Sequence, residues 1–323
     1  MRKIAVLTSG GDAPGMNAAV RAVTRAGLQH GWSVLGVRRG YAGLLEGDAH
    51  LLGDRDVGGI LHRGGTFLGS ARCPAMHRAE GRARAMDVLR DLEVDGLVVV
   101  GGDGSLAGAL ELSGLGVATV GVPATIDNDV GATEISLGVD SALNVALEAI
   151  DRLKATASSH GRVFLVEVMG RESGYLALTA GIAGGAEAVV VPEVETDPDD
   201  LAAELWSAYE RGKAHAIVVV AEGAAWNVEA LATHFREHRD RLGFELRRTV
   251  LGHVQRGAAP GAFDRLLGGR LGAAAVDALS HGRTGSMVGL DAGGIRTRPL
   301  AEVLEAGKPL DHGLVSLARL LAR

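Results

Sequence analysis

Aromatic residues are scarce in this chain, 3% of 323 positions, so the interior must be built from Val, Leu, Ile and Ala. Cysteine is almost absent. Cys73 stands alone, which excludes an internal disulfide and fits a reducing compartment. Long apolar runs are missing as well: none approaches the roughly 20 residues a membrane helix needs. The N-terminal MRKIAVLTSGG lacks the charged, apolar and small-residue order of a signal peptide. A soluble, cytoplasmic protein with no membrane partner is expected. A concentration of one charge is also lacking: the formal net charge is only -6 and the acids are spread along the chain. No global field draws nucleic acid, and any anionic ligand must be gripped by local arginines.

What the chain does have is glycine, 48 residues without a collagen-like period, which places tight turns between many elements. Short Val/Ile/Leu runs recur at 3–8, 33–38, 96–102, 119–124, 162–168, 188–194, 216–223 and 287–293. They do not alternate apolar with polar, so they read as strands covered on both faces, as in a parallel sheet. Helical patterns lie between them. Over 141–160, Leu143, Leu147, Ile150 and Leu153 share one face at a period near 3.6. The fold class is therefore α/β, with glycine turns at strand ends, where such folds bind ligands. The length favours two domains. One boundary is expected near 138 and a return near 254, where VLGHVQRGAAP resumes site-like chemistry.

Four segments carry that chemistry. TSGGDAPGMN (8–17) follows a strand and opens a helix, so Gly10, Gly11 and Gly15 bring backbone amides close to a phosphate. Taken alone, a plain strand-to-helix turn explains it equally well, and it matches neither the dinucleotide nor the P-loop pattern. GGDGS (101–105) sets Asp103 at a strand end, where a carboxylate can hold Mg²⁺ beside nucleotide phosphates. A turn closed by its own Asp is the competing explanation. In PATIDND (123–129), alternation along an extended segment puts Thr125, Asp127 and Asp129 on one side. A hydroxyl attacking phosphorus needs a carboxylate to take its proton, and Asp127 is the candidate. MGRESG (169–174) supplies Arg171, suited to charge on a transferring phosphoryl group, or to a surface ion pair. Arg72, Arg162, Arg247, His253 and Arg256 add local cations for a sugar phosphate.

These motifs together resemble the bacterial ATP-dependent 6-phosphofructokinase family. The resemblance runs through LTSGGDAPGMNAAVR, RGGTFLGSAR, GGDGS, TIDND, SSHGR, EVMGR, VVPEVE and VLGHVQRG to FDR at 263–265, essentially the full length. It implies two similar three-layer domains with mostly parallel sheets and the active site in the cleft between them. An ATP-binding domain would span 1–138 with a returning segment at about 255–305. A fructose 6-phosphate-binding domain would span 139–254 with the C-terminal segment at about 306–323.

The implied reaction moves the ATP γ-phosphoryl group to the 1-hydroxyl of fructose 6-phosphate, a step of glycolysis, with Mg²⁺ as cofactor held by Asp103. By the same resemblance, Asp127, Arg171 and Thr125 are catalytic. Gly11, Arg72, Cys73, Gly102, Asp103, Gly104 and Ser105 bind ATP. Thr125, Ile126, Asp127, Asp129, Arg162, Met169, Gly170, Arg171, Glu222, Arg247, His253 and Arg256 bind the sugar phosphate. Arg162 and Arg247 would reach in from a neighbouring subunit of a homotetramer with shared active sites. Arg21, Arg25, Arg55, Lys154, Glu187, Arg211 and Lys213 form an effector site for ADP or phosphoenolpyruvate.

The chain departs from the family pattern at Ala124, where ATP enzymes carry glycine and pyrophosphate enzymes lysine, and in the GAAWNVEA segment after Glu222. Arg55 is shifted and Gly59 replaces an acid. Gly104 is of the ATP type. A pyrophosphate-dependent or altered-sugar relative, and a catalytically silent sugar-phosphate regulator, are the rival readings.

Overall fold

The computed structural model describes residues 1–160, 162–213, 215–242 and 246–322, so Gly161 of the SSHGR motif lies outside the described residues. The chain divides into two compact units. Unit 1 comprises 1–125, 129–141 and 256–308, and unit 2 comprises 126–128, 142–255 and 309–323.

Unit 1 is organised by a seven-stranded sheet. Its strands are β1 (Lys3–Thr8), β2 (Ser33–Val37), β3 (Ala49–Leu51), β4 (Gly96–Gly101), β5 (Ala118–Pro123) and, after the 142–255 segment of unit 2, β10 (Ser286–Asp291) and β11 (Gly294–Pro299). The order is β11-β10-β5-β4-β1-β2-β3. Val6 lies opposite Gly36 and Val98, and Val98 opposite Val120, all in parallel register. Only the two edge strands run antiparallel.

Helices cover both faces. Ala5, Leu7, Leu97 and Val99 pack against Leu44, Val88, Leu89, Leu106 and Leu112 on one side. On the other, helices Met16–Gln29 and Ala262–Ser280 lie close, because Gly268 and Gly272 leave space for Gly15 and Ala19 carbonyls. Sandwiching between two helix layers explains why these strands read as continuous apolar runs.

Unit 2 holds β6 (Val163–Val168), β7 (Ala188–Val190), β8 (Ala216–Ala221) and β9 (Leu246–Val250), in the order β7-β8-β6-β9 and wholly parallel. Val163, Leu165, Val218 and Val220 pack with Leu201, Leu205, Leu231 and Phe235 from helices Pro198–Glu210 and Val228–Glu237. Among the described residues, no helix is long and apolar enough to cross a membrane.

The expected helix over 141–160 forms as Val139–His160, but its buried face is Ala142, Ala146, Ile150 and Ala157. Leu143, Leu147 and Leu153 are only half-buried, a correction to the expected leucine stripe. Small alanines permit closer packing than leucines, so they take the inner face.

Candidate active site

β1 feeds the turn 9–15 into helix Met16–Gln29. Gly10 and Gly15 have φ of 83° and 94°, the left-handed region that disfavours a side chain, so glycine at both positions is a backbone requirement. The turn is fixed from outside. Asn17 donates to Arg63 O at 3.0 Å and accepts from Phe67 N at 2.6 Å, binding the RGGTFLGSAR loop to the helix start. A Cβ on Gly11 would collide with the Arg256 guanidinium, which pairs with Asp12 at 3.1 Å. Arg256, expected on the sugar-phosphate side, is thus seated against the first glycine turn.

β4 ends at Gly101, and Gly102 to Ser105 open helix Asp103–Gly114. A Cβ on Gly101 would lie 2.5 Å from Ser9 O and 2.6 Å from Ser105 Oγ. Gly104 is the opposite case, with nothing within 4 Å of its Cβ position. Ser105 O accepts from the buried Tyr41 hydroxyl at 2.8 Å. Arg72 is exposed, and Cys73 packs partly against the core.

β5 runs into PATIDND, whose geometry corrects the extended-segment expectation. The chain bends at Ile126 and Asp127, and Asn128 takes φ of 54°, so the alternation that placed both aspartates on one side is broken. Ala124 stays strand-like, donating its N–H to Gly101 O at 2.9 Å and bridging to Leu137. Ile126 to Asn128 belong to unit 2, and Asp129 returns to unit 1.

The two aspartates consequently have different surroundings. Asp127 is 6% exposed and lies 3.5 Å from Arg171 Nε. Asp129 is close enough to Asp103 to raise its carboxyl pKa, after burial, the larger cause. Asp129 Oδ1 is buried without a hydrogen-bond partner. Two carboxylates in repulsion, one with an orphaned oxygen, fit a divalent cation that also takes oxygens from phosphate. No group of three or more His, Cys, Asp or Glu forms a metal cage among the described residues. A cation of this kind would complete its shell from substrate and water.

In unit 2, β6 ends in MGRESG. Arg171 adopts φ of 52°, uncommon for a residue with a side chain. It is held there by the Glu222 carboxylate, which accepts from the Arg171 N–H at 2.9 Å and the Gly170 N–H at 3.3 Å. Met169 N donates to the fully buried Gln255 side chain at 2.8 Å. Arg162, half-buried, immediately precedes β6, while Arg247 and His253 are exposed on and just beyond edge strand β9.

The expected effector residues divide between the units. In unit 1, Arg25 approaches Asp54 at 3.7 Å, Arg21 is half-buried and Arg55 is exposed. In unit 2, Lys213 pairs with Glu187 at 3.1 Å and Lys154 Nζ lies beside Gly185. Arg211 instead donates to Ser207 on its own helix at 2.5 Å. Sequence reasoning passed over Asp12, Gln255 and Lys308, the last donating to Thr133 O at 2.8 Å and Glu134 O at 2.6 Å behind PATIDND. Gln255, inside VLGHVQRG, had a signal in its motif; Lys308 had none.

Strand-end glycine turns, facing carboxylates and an arginine held beside a buried aspartate define an α/β phosphotransferase. The chain belongs to the phosphofructokinase family, since the model for Phosphofructokinase matches residues 3–279. It is similar to the ATP-dependent 6-phosphofructokinase of Thermotoga neapolitana, 50% identical over 323 residues that cover all of both chains. ATP-dependent 6-phosphofructokinase 1 of Thermus thermophilus is 51% identical over 324 residues, again covering both chains completely. The crystal structure of Pichia pastoris phosphofructokinase in the T-state superposes with a TM-score of 0.89 at 37% identity; it covers this whole chain, which spans 38% of that longer one. A pyrophosphate-dependent phosphofructokinase from Marinobacter aquaeolei shares the fold, with a TM-score of 0.86 at 24% identity over 97% of this chain and 86% of that one. Fold alone therefore does not choose the phosphoryl donor.

Proposed function

We propose that this chain is an ATP-dependent 6-phosphofructokinase, moving the γ-phosphoryl group of ATP to the 1-hydroxyl of fructose 6-phosphate. The products are fructose 1,6-bisphosphate and ADP, and the setting is cytoplasmic glycolysis. The observation that carries this reading is the ion pair between Asp127 and Arg171, a shielded carboxylate held beside a cation at two strand ends.

Asp127 takes the proton of the 1-hydroxyl as that oxygen attacks the γ-phosphorus, and the bond to the β,γ-bridging oxygen breaks toward ADP. Arg171 offsets negative charge on the group in transfer. Thr125 orients the acceptor next to the base. Asp103 and Asp129 would hold Mg²⁺, which when bound neutralises charge on the β- and γ-phosphates. Gly11, Gly102, Gly104 and Ser105, with Arg72 and Cys73, form the donor side. Met169, Gly170, Glu222, His253, Arg256 and Ile126 form the acceptor side, with Arg162 and Arg247 contributed by a neighbouring copy in a homotetramer. Arg21, Arg25, Arg55, Lys154, Glu187, Arg211 and Lys213 are proposed to bind ADP or phosphoenolpyruvate as effector.

ATP is favoured over pyrophosphate by Gly104. Its open surroundings leave room for the α-phosphate, where an aspartate would repel it. Ala124 adds a buried methyl group and no cation that could replace nucleotide contacts. Initial rates with ATP, GTP and pyrophosphate crossed against fructose 6-phosphate and other sugar phosphates test donor and acceptor together. Turnover is expected with ATP and fructose 6-phosphate. Higher turnover with pyrophosphate would reverse the donor assignment.

A further inference from the structure

The proposed chemistry leaves the FDR motif at 263–265 without a role, yet Asp264 is wholly buried at 0% exposure. It lies in the first turn of helix Ala262–Ser280. Its Oδ1 accepts from Gly138 N at 2.8 Å, and its Oδ2 accepts from Ser141 N at 2.8 Å and Ser141 Oγ at 2.6 Å. Both backbone groups can only donate, so both carboxyl oxygens are needed as acceptors, a demand the ionised form meets. Burial, the largest cause, and the nearby Asp140 charge raise its pKa above the usual carboxylate value, and the three hydrogen bonds offset them only in part. Such a buried charge is a costly arrangement to keep.

The position of its partners gives the arrangement a purpose. Gly138 and Ser141 flank the start of helix Val139–His160, whose first amides have no partner within their own helix, so Asp264 caps that helix from another one. Gly138 also ends the loop that leaves β5 at Ala124. The base of this loop is closed by Leu137 N donating to Pro123 O at 3.0 Å. On the opposite flank, Cβ positions on Gly15 and Gly138 would come within 3.1 Å of Asp264 O and 2.7 Å of Ala13 Cβ. The first glycine turn, the exit of the PATIDND loop and the long helix therefore all meet at Asp264. One residue beyond Ser141, the chain leaves unit 1.

We propose that Asp264 is a positioning residue for phosphoryl transfer, its carboxylate anchoring the exit of the loop 124–138 so that Thr125, Asp127 and Asp129 stand where the reaction needs them. The inference rests on the reading of Asp127 as the base. Asp264 touches neither substrate; it acts through the loop.

Asp264→Asn in the full chain tests this. It keeps the shape but turns an N–H toward donors. Because a displacement of about 1 Å from outside a site can cost on the order of 10²-fold, kcat is expected to fall at least about tenfold. KM for ATP and for fructose 6-phosphate should each stay within about threefold, since neither binding surface loses a group. Amide exchange should accelerate across 124–129 while β1 and β4 remain protected. Thr24→Val is the control, removing a buried bond to Val20 O in helix Met16–Gln29 and leaving kcat unchanged.

Ser141→Ala deletes one donor to Asp264 and the acceptor of Gly261 N, leaves the Asp264 carboxylate and its two backbone donors in place, and keeps the test open if the Asn variant fails to fold, with a smaller kcat loss expected. Unchanged kcat in a folded Asn variant, or faster exchange confined to 138–141, would overturn the proposal. So would unchanged kcat in Ser141→Ala should the Asn variant not fold. If the wild-type chain itself does not turn over, the assignment of function fails and the exchange data alone decide the anchoring role.

Discussion

In unit 1 the turn 101–105 is packed so tightly that a single methyl at Gly101 meets Ser9 O and Ser105 Oγ, and Tyr41 pins the turn from beneath. At the edge of unit 2, β9 and the segment after it turn Arg247, Arg248, Val250, His253 and Val254 outward, with Val250 and Val254 61% and 62% exposed. The first region is complete within one chain. A phosphate held by backbone amides needs a rigid close approach, and only the chain's own packing provides that. The second is a sheet edge that exposes arginines and valines, and the proposed homotetramer would cover it with another copy. Under the proposed assignment, donor handling and acceptor handling would be built on different physical terms.

The largest effect should come where the two sets share a peptide segment. Asp127→Ser is expected to lower kcat by at least about 10²-fold, the usual worth of a general base, while fructose 6-phosphate binding is largely kept. Steady-state rates beside equilibrium binding check this; near-normal kcat would remove Asp127 as base.

Next, Arg162→Ser or Arg247→Ser should raise KM for fructose 6-phosphate by the roughly 1.5 to 3 kcal/mol of a charge-assisted hydrogen bond, with KM for ATP little changed. Sedimentation supplies the companion result. An active monomer would show that β9 serves its own chain and would dissolve the contrast between the regions.

The packed turn is probed by a pair of substitutions. Gly101→Ala should destabilise by about 1 to 3 kcal/mol through overcrowding, whereas Gly104→Ala, entering open space, should leave thermal unfolding almost unmoved. Equal melting temperatures for the two variants would mean that the turn is not rigid.

Effector response is the smallest expected effect. ADP or phosphoenolpyruvate should shift the fructose 6-phosphate saturation curve by about 1 to 3 kcal/mol of coupling, and Arg25→Ala should blunt the shift. Curves indifferent to both ligands would remove the effector assignment.

Legibility in the sequence followed burial. Strands β1, β2, β4, β5, β6, β7, β8 and β10 coincide with the apolar runs, because sandwiched strands must be apolar throughout. β3, β9 and β11 escaped, three of the four edge strands; LRRTV and GIRTRP carry charge that protects an edge and hides the apolar signal, whereas the fourth edge strand, β7, is the apolar AVV. The motif residues of the candidate site were legible because glycine, aspartate and arginine stand at strand ends. Their partners were not. Glu222 reaching the amides of Gly170 and Arg171, Gln255 reaching Met169 and Arg256 reaching Asp12 join positions distant in sequence, which no local period encodes. The bend that separates Asp127 from Asp129 was signalled only weakly: asparagine tolerates a positive φ better than other side chains but does not require one, so Asn128 alone does not break an extended pattern.

The central claim, that a nucleotide-sized donor is accepted at an open Gly104, is tested most directly by one comparison. Purified wild-type chain and Gly104→Asp should be assayed with Mg²⁺ and fructose 6-phosphate, with either ATP or pyrophosphate as donor. The wild type should turn over ATP in preference to pyrophosphate, and the variant should lose ATP use while KM for fructose 6-phosphate stays nearly constant. Pyrophosphate outperforming ATP in the wild type, or undiminished ATP use in the variant, would contradict the account.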